Sequence, residues 1–143
     1  MDYDIRTLIT PYTPHIQRLA EQLKTPEEII TYLRSLNLQV QDSWYSAEEL
    51  LEQLESNQDT ILDCNDTSII AVSALLAQGN RDAKVYIGYV PSMKINHAVV
   101  LIGDEYTDIT CLKCSPEELF SNPIVIFNDK EIEVYSEEGY RLL

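Results

Sequence analysis

The sequence predicts an α+β domain, with helices in its first half and an antiparallel sheet in its second. Two observations carry this: apolar residues recur at three- and four-residue steps up to Gln78, and short β-branched and aromatic runs separated by turn residues follow from Lys84 onward. A chain of 143 residues is the size of one domain, and the order of elements shows neither repeats nor a second domain boundary.

The helices come first. Ile16, Leu19 and Leu23, then Ile29, Ile30, Leu33 and Leu36, trace apolar faces within 15–37. The break between them is Thr25-Pro26-Glu27-Glu28, where Thr25 can cap, Pro26 suits the first helical position and Glu28 completes a capping box. Ser46-Ala47-Glu48-Glu49 repeats that pattern ahead of Leu50, Leu51 and Leu54, so a third helix runs to about Ser56. From Asn65 to Gln78 almost every residue is apolar or small, as expected of a buried central helix, and Gly79-Asn80 is a typical helix stop.

The sheet follows. Runs at 84–90, 97–102 and 106–111 read as strands, the last two joined by a hairpin turn at Gly103-Asp104-Glu105. After a helical turn at Ser115-Pro116-Glu117-Glu118, runs at 124–127 and 131–135 flank Asn128-Asp129-Lys130 as a second hairpin.

Composition excludes several functions. The 24 acidic residues against 10 basic ones give a formal charge of −14, spread along the chain, which disfavours nucleic acid and anionic membranes and favours cationic partners such as a Lys-bearing protein. No stretch is long and apolar enough to span a bilayer, and Met1-Asp2-Tyr3-Asp4 lacks the basic flank of a signal peptide, so a cytoplasmic location is expected. Three cysteines without framework spacing fit a reducing compartment and leave at least one thiol free. Cys111-Leu112-Lys113-Cys114 has the spacing of a zinc half-site but no second pair of ligands, and is read as two ordinary thiols. Asp104, Glu105 and Asp108, like Glu27 and Glu28, read as solvated faces, since no loop has calcium-ligand spacing. Four glycines form no phosphate-binding loop, and neither a cofactor nor a metal is expected.

The residues that point to chemistry are Cys64, His97 and Asp108. Cys64 stands at the mouth of the apolar helix, where unsatisfied N–H groups and the helix dipole favour a thiolate. Of the two histidines, His15 lies in the first helical region, whereas His97 opens a strand whose neighbour carries Asp108, so that Asp108 can hold the imidazole while its other nitrogen faces Cys64. A nucleophile on a helix, a base on a strand and a carboxylate on the next strand is the order of papain-like cysteine enzymes.

These segments resemble the transglutaminase-like branch of that fold. The resemblance runs through 46–51, Asp63-Cys64-Asn65-Asp66-Thr67-Ser68, 75–79, Asn96-His97-Ala98-Val99-Val100 and Tyr106-Thr107-Asp108-Ile109-Thr110. It implies acyl transfer through a thioester, with Cys64 as nucleophile, His97 as general base and acid, Asp108 as the orienting carboxylate, and the Cys64 N–H as part of an oxyanion site. Trp44 and Tyr45 stand where the family often places an aromatic near the active site. The implied substrate is a protein or peptide amide, cleaved as by a peptidase or amidase or cross-linked to an amine. No calcium requirement is carried over from the large transglutaminases. The alternative is a non-enzymatic scaffold with the same fold, such as a bacteriophage virion or assembly protein, whose partners would be other assembly components.

Overall fold

The computed structural model describes residues 4–39, 44–111 and 116–143. A 3₁₀ turn at Ile5–Leu8 leads into three amphipathic helices, α1 (Pro14–Gln22), α2 (Pro26–Arg34) and, after the two-residue strand β1 (Asn37–Leu38), α3 (Ala47–Ser56). The starts follow the sequence signals. Pro14 and Pro26 occupy first helical positions, and Thr25 accepts the Glu28 N–H at 3.2 Å. Glu28 reaches past Thr25 to the Lys24 N–H, so only half of the expected box forms there. At α3 the box is complete: Ser46 Oγ accepts the Glu49 N–H while Glu49 accepts the Ser46 N–H.

Strand β2 (Ile61–Leu62) pairs in parallel with β1 and delivers the chain into α4 (Cys64–Ala77). This helix is buried from Asp66 to Leu75, which explains why its sequence has no polar face. It ends in a Schellman motif: Gly79, at φ 95°, donates to the Leu76 carbonyl and Asn80 donates to the Leu75 carbonyl.

The second half is a five-stranded antiparallel sheet of β3 (Ala83–Val90), β4 (Ile95–Ile102), β5 (Glu105–Thr107), β6 (Pro123–Phe127) and β7 (Ile132–Val134), in the order β5-β4-β3-β6-β7. Short helices α5 (Pro116–Ser121) and α6 (Glu137–Arg141) precede β6 and follow β7. The fold is therefore α+β, with the Cys64 helix packed between α1, α2 and α3 on one side and β3 and β4 on the other. Ile69, Val72 and Leu75 of α4 meet Val85, Ile87, Ala98 and Val100 of the sheet in the main core. Tyr86, Val90 and Val99 pack with Leu119 of α5 in a smaller cluster. No helix of the described residues is long and apolar enough to cross a membrane.

Candidate active site

Cys64 is set by what precedes it. Gln39 N–H donates to the Leu62 carbonyl, extending the β1–β2 pairing up to the residue before Asp63. Asp63 then caps α4 in a reciprocal box: its carboxylate accepts the Asp66 N–H at 2.9 Å and Asp66 accepts the Asp63 N–H at 3.0 Å. Burial pushes the Asp63 carboxyl up to about 7, reinforced by the charge of Asp66 and opposed by the N–H groups it accepts. Cys64 is the first helical residue, a free thiol and half-buried, and its backbone N–H is one that no intrahelical carbonyl can reach.

His97 lies on β4, opposite Gly88 of β3, and is 4% exposed. Its Nε2 is 2.7 Å from Asp108 Oδ2, and the ring also interacts electrostatically with the Cys64 side chain, whose Sγ lies 3.9 Å from Asn65 Oδ1. Cys64, His97 and Asp108 thus sit in one cluster. Burial is the largest single influence on the imidazole and disfavours its charge, but hydrogen bonds to Asp108 and Cys64, with the charges of both, raise it to about 10.

That balance has a consequence for stability. The folded state holds the His97 proton more tightly than the unfolded chain, where histidine titrates near about 6.5. Its stabilising contribution is therefore complete below that pH and lost as pH rises through 10. The urea midpoint is expected to fall between pH 7 and 10, and to fall less in His97→Gln; equal slopes in the two proteins would contradict the shift. Asp63, raised to about 7, releases part of its proton at the acid edge of this range in both proteins, so its contribution is common to the two slopes being compared.

Asp108 is one residue beyond the end of β5, whose last ladder pair joins Thr107 to Val100. The strand expected at 106–111 is thus Glu105–Thr107, and Asp108 gains its place from other contacts. Its second carboxylate oxygen accepts the Cys111 N–H at 3.0 Å, and its carbonyl accepts Arg34 Nη2 of α2 at 2.8 Å. Sequence reasoning missed both. Arg34 lies 74 residues away with no local pattern to mark it. The Asp63–Asp66 box was passed over too, although its spacing of three is the one that caps a helix.

Cys111 is disulfide-bonded, which corrects its reading as an ordinary thiol; Cys114 lies outside the described residues, as does Ser115, expected to open the α5 turn. Trp44 packs against the main core and Tyr45 is exposed; neither lines the cleft beside His97. That cleft, of about 700 Å³, is walled by His97, Asp108, Arg34, Tyr106, Val90 and Leu119 and adjoins the His97–Asp108 side of the cluster rather than Cys64.

The α+β fold is one that solved structures share. Among solved structures the chain is similar to Legionella pneumophila LapG, with a TM-score of 0.60 at 17% identity over 96% of this chain and 90% of LapG. It is also similar to EGTA-treated LapG from the same organism, with a TM-score of 0.61 at 17% identity over 94% and 86% of the two chains. No protein-family model and no curated protein sequence matches the chain.

Proposed function

We propose that this protein is a cysteine-dependent acyl-transfer enzyme acting on peptide or protein amides, with hydrolysis as its simplest outcome. The observation that carries the reading is the buried 2.7 Å pair of His97 and Asp108 within electrostatic reach of the Cys64 thiol at the start of α4. A lone cysteine at a helix start is often inert; one that shares a buried imidazole with a fixed carboxylate has a base to take its proton and a means of holding that base in one orientation.

In this reading His97 already holds the proton given up by Cys64 Sγ, in keeping with its hold on a proton up to about pH 10, and the thiolate attacks the amide carbonyl carbon. The oxyanion that forms is met by the Cys64 N–H, already aimed outward at the positive end of α4. His97 then gives its proton to the departing amine, leaving a thioester on Cys64. Water, deprotonated by His97, attacks that thioester, releasing the acid and restoring the thiol. An amine in place of water gives a cross-link by the same steps. Asp108 accepts the Nε2–H throughout, and its grip by Arg34 and the Cys111 N–H keeps the imidazole from turning away.

The test is the rate of alkylation of Cys64 by iodoacetamide in the folded protein between pH 5 and 9, read by peptide mass spectrometry. Cys64 is expected to react well ahead of a free thiol at the acid end of the range, where an ordinary cysteine of pKa about 8.5 is protonated. His97→Ala should remove that advantage. A Cys64 that stays silent until urea unfolds the chain would overturn the enzyme reading in favour of a scaffold that keeps the fold without the chemistry.

A further inference from the structure

His15, the histidine left outside the Cys64 cluster, faces a row of carboxylates. Glu48, Glu52 and Glu55 follow one another on α3 at steps of four and three, the spacing that places side chains along one helix face. His15 is the second residue of α1, packed against that face. Its Nδ1 contacts Glu48 and its Nε2 lies 2.5 Å from Glu55. One ligand atom each from His15, Glu48 and Glu52 lie within 4.8 Å of one another.

Three features separate this arrangement from a solvated acidic stripe. The first is the imidazole, a donor that an accidental row of glutamates lacks and that selects transition metals over calcium or magnesium, which take oxygen ligands. Second, the site is built: Glu48 is held by the His15 backbone N–H at 2.9 Å, and the Glu48 and His15 side chains are only 16% and 21% exposed. Third, Glu55 occupies the place of an outer carboxylate, accepting from the ring nitrogen opposite the one that would bind a metal, the usual way such a histidine is oriented. Charge points the same way, since one imidazole faces three carboxylates and none of the three pairs with a Lys or Arg among the described residues.

We propose that His15 Nδ1, Glu48 and Glu52 form a binding site for a zinc-class divalent metal, with water completing the shell and Glu55 fixing the imidazole. Zinc bonds of about 2.0–2.2 Å place neighbouring ligand atoms roughly 3.3 Å apart, so side-chain rotations within the present cluster suffice. The ion staples α1 to α3, both of which pack on the helix that carries Cys64. His15 and Glu55 also border a surface cleft of about 470 Å³, which gives an ion a way in.

The proposal is independent of the acyl-transfer reading and is tested in protein that cannot perform it. Full-length Cys64→Ala, kept non-reducing so that no free thiol of Cys64 or Cys111 competes, is titrated with zinc sulfate by calorimetry and by thermal unfolding. One zinc ion per chain is expected, raising Tm, and persisting in millimolar magnesium or calcium. His15→Ala and Glu52→Gln should each weaken zinc binding by about tenfold or more. Because Glu52 is exposed and makes no ion pair with a described Lys or Arg, Glu52→Gln leaves the fold intact even if His15→Ala weakens it. Cobalt in place of zinc should give a visible spectrum of nitrogen and oxygen ligation. No saturable uptake, uptake unchanged in both variants, or displacement by magnesium would overturn the site and leave His15 as an imidazolium pinning the two helices.

Discussion

Cys64→Ala is expected to lower turnover of any peptide amide or ester that the wild-type protein accepts by roughly 10⁴-fold or more, with KM little changed. The side chain is half-buried and small, so its loss leaves no cavity that would unfold α4, whose start is held by the Asp63–Asp66 box rather than by the thiol. His97→Ala should cost about as much, and the double variant no more than either alone, because in the proposed mechanism nucleophile and base act in the same step. Asp108→Asn isolates orientation: the amide can no longer accept the Nε2–H with a full charge, and the imidazole settles in the wrong tautomer, for a loss of about 10²–10⁴-fold. The set is read with a fluorogenic peptide library screened on wild-type first, then on each variant at matched folded concentration. Additive losses in the double variant, or full activity in Cys64→Ala, would dissolve the unit.

What sequence reasoning could reach was decided by how local each signal is. The Ser46 box, Pro26 and the Gly79 stop are set within four residues, and each stands where the sequence places it. The buried run of α4 and the two hairpins are likewise local patterns of polarity and turn chemistry, and Gly103, at φ 61°, opens the two-residue turn between β4 and β5. Some of the shortest elements escaped. Strands β1 and β2 have two residues each, too few for any period, and α6 buries none of its residues, so no apolar face announces it. The turn from β3 to β4 went unmarked because its left-handed residue is Lys94, at φ 55°, rather than a glycine.

The site divides the same way. That Cys64 opens the buried helix and that His97 lies on the strand beside the one leading to Asp108 was readable from element order, but what holds Asp108 was not. With β5 ending at Thr107, the ladder does not fix Asp108; Arg34 from α2 and the N–H of disulfide-bonded Cys111 do. The Arg34 contact arises only when distant segments meet, whereas the Cys111 contact is a local turn three residues long, and neither residue type is unusual where it stands in the chain.

The largest structural effect is expected at Gly88, which the sequence presents as an unremarkable strand residue. Gly88 pairs with His97 across the β3–β4 ladder, at the point where the register of β3 with β6 shifts. A Cβ there would meet the Leu119 carbonyl at 2.6 Å, Leu119 Cδ1 at 2.9 Å and Tyr86 Cε1 at 3.0 Å. Side-chain atoms can rotate away; the carbonyl belongs to the backbone of α5 and accepts the Tyr86 hydroxyl, so relief requires moving the helix and breaking that bond. Overpacking of this kind costs about 2–3 kcal/mol for Gly88→Ala, a large share of a domain's 5–15 kcal/mol, and more for Gly88→Val. Gly88→Ala should lower Tm by roughly 6–12 °C. Because the displaced α5 carries Leu119, which walls the cleft beside His97, turnover should fall even at temperatures where the variant is fully folded. Trimming Leu119 to Ala relieves only the Cδ1 contact and should leave most of the Gly88→Ala penalty in a double-mutant cycle. A Gly88→Ala protein with wild-type Tm would show that α5 yields freely, and that the close approach of helix to strand does not hold this wall of the site.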